Sequence, residues 1–87
     1  MPCAIVTGAS RGIGRGISLL LAEKGYKIVA VGTRSAEDVA EYVGELTSRS
    51  PESIYVAADI STPDGRARIL ETAAKVGGFD ILVNNAG

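Results

Sequence analysis

T-G-A-S-R-G-I-G at residues 7–14 is the stretch that decides the fold of this chain. It follows a short apolar run, A-I-V at residues 4–6, and it precedes a segment with the apolar periodicity of a helix. A strand that passes through a glycine-rich turn into a helix brings backbone N–H groups and the positive end of the helix dipole to one point. The pattern therefore predicts a site for the phosphates of a dinucleotide.

The three glycines of this stretch are spaced T-G-x-x-x-G-x-G, and each has a separate physical role. Gly8 allows the chain to turn sharply as it leaves the strand. Gly12 allows the backbone to approach a pyrophosphate, and Gly14 allows the helix to pack closely on the sheet. A plain glycine-rich turn is the alternative, which the strand–turn–helix context disfavours.

Side chains and N–H groups of the same turn are candidate phosphate ligands. We expect the N–H groups near Gly12 and Ile13 to face the phosphates, and the side chains of Ser10 and Arg11 to bind phosphate oxygens. A P-loop NTPase is disfavoured, because the chain contains no Gly-Lys-Ser/Thr.

Strands and helices alternate along the whole chain. Four apolar runs predict strands at residues 2–7, 28–31, 53–58 and 80–84. Three helices are predicted between them, from near Gly12, from Ser35 as N-cap and from Thr62 as N-cap, with residues 47–51 as a linker. Their apolar faces are predicted to consist of Ile13, Ile17, Leu20 and Leu21, then Val39, Tyr42, Val43 and Leu46, then Ile69, Leu70, Ala73 and Ala74. The order β-α-β-α-β-α-β predicts an α/β fold, a Rossmann-type doubly wound parallel sheet.

Composition excludes several classes of function. Nine basic and ten acidic residues with no basic run disfavour a nucleic-acid partner. Cys3 is the only cysteine and there is no histidine, so the chain cannot hold a Cys/His metal site, and we expect Cys3 to be a core residue. No apolar run approaches the roughly 20 residues of a membrane span and no secretory leader is visible, so we expect no membrane partner and a cytoplasmic location.

Three motifs together resemble the short-chain dehydrogenase/reductase family. They are the glycine-rich stretch at residues 7–14, Asp59-Ile60 after the third strand, and N-N-A-G at residues 84–87. Within the family the chain is most similar to the 3-oxoacyl-[acyl-carrier-protein] reductases. The resemblance implies that residues 1–87 are the N-terminal, cofactor-binding portion of a Rossmann-fold oxidoreductase that interconverts carbonyl and alcohol groups of small molecules. It also implies that the complete enzyme is a homo-oligomer.

The resemblance assigns roles to the second and third motifs. Asp59 would hydrogen-bond the adenine amino group, with the Ile60 backbone beside it. The N-N-A-G motif would tie strands together and line a cofactor ribose, with its candidate ligands being Asn85, Ala86 and Gly87. The alternatives are that Asp59 only caps a helix together with Ser61, and that the two asparagines only end a strand.

The end of the second strand, V-G-T-R at residues 31–34, bears on the choice of nicotinamide cofactor. An NAD-selective site places a carboxylate here for the ribose 2′-OH, but the next acid is Glu37. We expect Gly32 to leave room for a 2′-phosphate, and we take Thr33 and Arg34 as its candidate ligands, since an arginine can pair with a phosphate bidentately. Arg11 is a second candidate cation. These residues favour NADP(H), and a solvated Arg34 is the alternative.

Catalytic residues are not found in this chain. The family's reaction uses a tyrosine, a lysine four residues later and a serine, but residues 30, 46 and 59, four after each of the three tyrosines, are not lysine. We therefore expect the tyrosines to be packing residues and the chain to be part of a longer reductase. The alternatives are a non-catalytic nucleotide-binding module and a fragment that needs a partner chain.

Overall fold

A parallel sheet with helices on both faces forms the computed structural model, which describes residues 2–85. Its elements are β1 Cys3–Thr7, α1 Gly12–Glu23, β2 Lys27–Gly32, α2 Ala40–Arg49, β3 Ile54–Ala57, α3 Pro63–Lys75 and β4 Ile81–Val83. The helices have 12, 10 and 13 residues, and none within residues 2–85 is long and apolar enough to cross a membrane.

The strand order places β1 in the middle of the molecule. The order is β3-β2-β1-β4, and every neighbouring pair is parallel, with Ala4 of β1 opposite both Ile28 of β2 and Ile81 of β4. Along the chain, β2 and then β3 are added on one side of β1, and the chain then crosses over so that β4 pairs with the other side of β1. A crevice forms at such a reversal, outside the carboxyl ends of the strands, and ligands of open α/β sheets bind there.

The residues of β1 alternate between two hydrophobic cores. Ala4 and Val6 contribute to the core under α1 and α2, and Cys3 and Ile5 contribute to the core under α3. All five residues of β1 are buried, because helices cover both faces of the sheet. This arrangement confirms the predicted doubly wound α/β fold and the prediction that Cys3 is a core residue.

The buried face of α1 differs from the predicted face. Its buried residues are Gly14, Ser18 and Ala22, whereas Ile13 is 75% exposed and Leu20 is 54% exposed. The other two residues of the predicted apolar stripe are half-buried. The physical reason is the short distance between α1 and the strands, because only small residues fit on the side of the helix that faces them.

Both ends of α2 and the buried face of α3 also differ from the sequence predictions. Ser35 does not cap α2; its Oγ accepts the Asp38 N–H at 3.2 Å and closes a turn, and the helix begins at Ala40. The helix also continues to Arg49, through residues that were predicted as linker. On α3, Leu70 is 57% exposed, because no other described element packs over that side of the helix.

Candidate nucleotide-binding site

A cleft of about 720 Å³ lies at the carboxyl edge of β1, β2 and β3. Its volume is in the range of about 300–1,000 Å³ that small-molecule sites have. The cleft is lined by Gly8, Ser10, Arg11, Gly12, Ile13, Val31, Gly32, Thr33, Arg34, Ala58, Asp59, Ile60 and Asn85. All the residues proposed from sequence lie in this lining except Gly14, which lies behind it, and Ala86 and Gly87, which are outside the described residues.

The turn between β1 and α1 depends on two glycines with left-handed backbone. Gly8 has φ 61° and Gly12 has φ 60°, a region that side chains with a Cβ rarely adopt. Between them the Ala9 N–H donates to the Val31 carbonyl at 3.0 Å and ties the turn to β2. The glycine spacing therefore produces a defined turn that opens the start of α1 toward the cleft.

The N-terminus of α1 is open to a ligand. Arg11 is its N-cap residue, with extended backbone, and no side chain among residues 2–85 caps it. The first turn holds no acidic residue, so the N–H groups there keep their capacity to donate to an anion. This donor set, with Arg11 exposed beside it, fits the pyrophosphate of a dinucleotide.

Gly14 sets the distance between α1 and the end of β1. A Cβ on Gly14 would lie 2.1 Å from the Gly8 carbonyl oxygen and 2.7 Å from Asn85 Nδ2. Only glycine fits at this separation, which confirms the prediction that Gly14 allows close packing of the helix on the sheet.

The end of β2 presents exposed polar residues to the cleft, and one expectation about it is wrong. Thr33 and Arg34 are exposed, but Gly32 is buried, and a Cβ on it would lie 2.6 Å from Tyr55 Oη. The space beside Gly32 is therefore filled by the Tyr55 hydroxyl instead of being left for a phosphate. That hydroxyl donates to the Arg34 carbonyl at 2.7 Å.

Asp59 lies exposed at the carboxyl end of β3, in a turn that also orients its carboxylate. Its Oδ1 accepts the Ser61 hydroxyl at 2.6 Å and the Ser61 N–H at 2.9 Å. These two hydrogen bonds hold the pKa of the Asp59 carboxyl below its ordinary value, so the group is ionised at neutral pH. The alternative proposed from sequence was that Asp59 and Ser61 only cap the helix, and Ser61 does bond to Asp59. The residue that caps α3 is Thr62, however, whose Oγ1 accepts the Gly65 N–H at 3.0 Å.

Asn85 joins the end of β4 to the end of β1. Its backbone N–H donates to Thr7 Oγ1 at 3.0 Å, and its Nδ2 donates to the Gly8 carbonyl at 3.4 Å. The Thr7 hydroxyl lies 3.3 Å from Asn84 Oδ1, which can accept its proton. The contacts join the two strands, which is the first of the two roles that the resemblance implies for this motif.

Sequence reasoning missed two residues that shape the cleft. Tyr55 was expected only to pack, and its place near the cleft follows from its pairing with Ala30, a register that sequence periodicity does not reveal. Gly65 was not singled out, although a Cβ on it would lie 1.9 Å from the Asp59 carbonyl oxygen. Its position, the third residue of a helix after a strand, is the position of Gly14 in α1.

Comparison with known proteins agrees with this geometry. A family model described as short chain dehydrogenase matches residues 2–87. The chain belongs to this family. The resemblance drawn from the three sequence motifs is therefore confirmed.

Individual relatives match nearly the whole chain. The 3-oxoacyl-[acyl-carrier-protein] reductase FabG of Staphylococcus aureus is 42% identical over 85 residues, which are 97% of this chain and 35% of that protein. The crystal structure of L-sorbose reductase from Gluconobacter frateurii, complexed with NADPH and L-sorbose, has a TM-score of 0.87 at 38% identity, covering 99% of this chain and 33% of that one. A 3-oxoacyl-[acyl-carrier protein] reductase from Brucella melitensis has a TM-score of 0.84 at 34% identity, with coverages of 99% and 34%. The chain spans about a third of the length of these relatives.

Proposed function

We propose that this chain is the NADP(H)-binding portion of an oxidoreductase that interconverts carbonyl and alcohol groups. The observation that carries the proposal is the uncapped N-terminus of α1, which opens into a cleft that Arg34 also lines. The end of β2 adds no carboxylate to that cleft, because residues 32–36 include no acid. An arginine at the end of β2, where an NAD-selective site places a carboxylate, favours a 2′-phosphate over a 2′-hydroxyl.

Each lining group has a partner on such a cofactor. The N–H groups of Gly12 and Ile13 donate to the pyrophosphate. Arg34, with Arg11, binds the 2′-phosphate, and the ionised Asp59 accepts a hydrogen bond from the adenine amino group. A nicotinamide cofactor bound here supplies a hydride to a carbonyl carbon or accepts one from an alcohol carbon.

The relatives support the cofactor and suggest a substrate class. L-sorbose reductase was solved with NADPH bound, at 38% identity to this chain. The similarity to 3-oxoacyl-[acyl-carrier-protein] reductases makes a 3-oxoacyl thioester the first substrate to test. We propose that the proton donor for the carbonyl oxygen lies outside these 87 residues.

Titration of the full-length protein with NADPH and NADH tests this function. We expect NADPH to bind at least tenfold more tightly, and we expect Arg34→Gln to remove most of that difference, since a charge-assisted hydrogen bond contributes about 1.5–3 kcal/mol. The matched control is Arg68→Gln, because Arg68 lies exposed on α3 outside the cleft. Equal affinity for the two cofactors in the unchanged protein would contradict the proposal.

A second candidate function follows from the outer side of β4. Leu82 is 57% exposed, Leu70 is 57% exposed and Phe79 is 42% exposed, which gives this side an open apolar surface. A surface of this kind favours association with another chain segment. The chain would then be a nucleotide-binding module that functions only with a partner.

Assays of the purified 87-residue chain test whether it has activity alone and whether its apolar surface drives association. We expect no reduction of a ketone by this chain alone, weak binding of NADPH, and association visible by light scattering. Turnover, checked against contaminating full-length enzyme, would show that the chain is catalytically sufficient. A monodisperse monomer that unfolds cooperatively would contradict the argument from the apolar surface.

A further inference from the structure

The ring of Tyr55 runs along the sheet toward the cleft. Tyr55 of β3 lies opposite Ala30 of β2, and Gly32 lies on the same face because alternate residues of a strand share a face. Neither Ala30 nor Gly32 has a side chain that would block the ring. The hydroxyl therefore reaches the carboxyl edge, 2.6 Å from the position of a Cβ on Gly32. On the core side the Tyr42 ring packs edge-on at 6.5 Å between centroids.

The Tyr55 hydroxyl lies where the two loops that carry the candidate phosphate ligands meet, and it bonds to one of them. It donates its proton to the Arg34 carbonyl at 2.7 Å, in the segment that follows β2. Ser10, in the turn after β1, lies beside the same hydroxyl, with its Oγ 3.3 Å from the Cβ position of Gly32.

The hydroxyl stays protonated where the enzyme is assayed. Burial raises the pKa of Tyr55, and the negative charge of Asp38 raises it further. Together they outweigh the neighbouring Ser10 hydroxyl and the positive charge of Arg34, which lower it. The link to the Arg34 carbonyl is therefore present at neutral and mildly alkaline pH.

We propose that Tyr55 is a positioning residue that determines the preference for a 2′-phosphorylated cofactor, by holding the backbone of Arg34 at the edge of the cleft beside Ser10. This rests on the proposed function, because it requires that the cleft binds the 2′-phosphate. Arg34 is exposed on a loop, and holding its backbone before binding reduces the entropy that binding must remove. By filling the space at Gly32, the hydroxyl also excludes a carboxylate side chain there, the group that would select a 2′-hydroxyl.

The test measures binding of 2′,5′-ADP and 5′-AMP to the full-length protein, two probes that differ only in the 2′-phosphate. We expect Tyr55→Phe to weaken binding of 2′,5′-ADP by about five- to tenfold, the effect of one hydrogen bond, and to leave binding of 5′-AMP within about twofold. Tyr42→Phe is the matched control, because it removes a hydroxyl that bonds to Ser18 at 2.6 Å inside the core. That variant should lower the Tm and leave the ratio of the two affinities unchanged.

The outcomes separate this inference from the proposed function. No preference for 2′,5′-ADP in the unchanged protein would overturn both. A normal preference that Tyr55→Phe retains, or an equal loss for both probes, would overturn the role of Tyr55 alone. Should Tyr55→Phe fail to fold, Gly32→Ala displaces the hydroxyl while it keeps the tyrosine. The same selective loss in that variant supports the role, and an unchanged ratio overturns it.

Discussion

The first turns of α1 and α3 pack on the sheet in the same way but differ in their caps. Each helix follows a strand of the sheet and has a glycine as its third residue, and each glycine packs against a backbone carbonyl. A Cβ on Gly14 would lie 2.1 Å from the Gly8 oxygen, and a Cβ on Gly65 would lie 1.9 Å from the Asp59 oxygen. Yet α3 is capped by Thr62, with Pro63 as its first residue, whereas α1 has no side-chain cap among residues 2–85.

The difference in capping indicates that the start of α3 only stabilises the fold, whereas the start of α1 is suited to bind a ligand. At α3 the Thr62 hydroxyl accepts the Gly65 N–H at 3.0 Å, and Asp64 adds a negative charge in the first turn. Both features satisfy the helix terminus from within the chain. At α1 Arg11 occupies the cap position and adds a positive charge, so an incoming anion meets both N–H donors and a cation. The open terminus is the one that lines the cleft.

Gly14→Ala should have the largest effect of the variants considered. The added methyl would collide with the Gly8 carbonyl, so the turn must move, and we expect a loss of about 1–3 kcal/mol in stability with at least tenfold weaker binding of NADPH. Thermal unfolding and a fluorescence titration measure the two effects. Gly16→Ala is the control on the same helix, since no described atom beyond its chain neighbours and the adjacent helix backbone lies within 4 Å of its Cβ position. It should stabilise the protein by up to about 1 kcal/mol through helix propensity alone.

Gly65→Ala should destabilise the fold about as much as Gly14→Ala but affect binding less. Its methyl would displace the Asp59 carbonyl and disturb the cap, while the N-terminus of α1 is left intact. We expect about 1–3 kcal/mol of lost stability. Gly44→Ala is the control, with an open Cβ position in α2. A loss of NADPH affinity as large as that of Gly14→Ala would show that the two helix starts do not differ in function.

Exchanging the capping properties of the two helices should change stability in opposite directions. Thr62→Ala removes a side-chain cap and should cost about 1 kcal/mol, with little change in cofactor affinity. Arg11→Asp supplies α1 with a cap, so it should raise the stability of the ligand-free protein while it weakens NADPH binding more than tenfold. Arg11→Ala controls for the lost charge, since it adds no cap. Unchanged NADPH affinity in Arg11→Asp would contradict the anion site.

The pH dependence of Asp59 gives the smallest expected effect. Hydrogen bonds from Ser61 hold the pKa of this carboxyl below its ordinary value, so its contribution to stability is present above pH ~4 and is lost as the pH falls through the folded-state pKa. Ser61→Ala should raise the midpoint of the Asp59 titration, as followed by NMR of its carboxyl carbon. Its effect on stability should be seen at pH 7 and should disappear in acid. An unchanged midpoint would show that Ser61 does not set this pKa.

Local sequence patterns predicted the order of the strands and helices, because apolar runs and glycine-rich turns determine secondary structure within a few residues. They predicted the buried face of α1 less well, since Gly14, Ser18 and Ala22 are small and do not stand out in a pattern of bulky residues. The predicted start of α2 was wrong because the Ser35 hydroxyl stabilises a turn before the helix instead of capping the helix itself.

The candidate site was predicted wherever its ligands lie in a contiguous motif. Tyr55 is different, because the position of its hydroxyl depends on the register between β2 and β3 and on the lack of a side chain at Gly32. Such a contact joins residues that are distant in sequence, and single-sequence periodicity contains no information about it.

A crystal structure of the full-length protein with NADP⁺ tests the central claim most directly. The account predicts a pyrophosphate oxygen within hydrogen-bond distance of the Gly12 or Ile13 N–H, and a Gly65 N–H that still donates to Thr62 as it does in this structure. A pyrophosphate bound elsewhere, with the first turn of α1 left in contact with solvent, would contradict it.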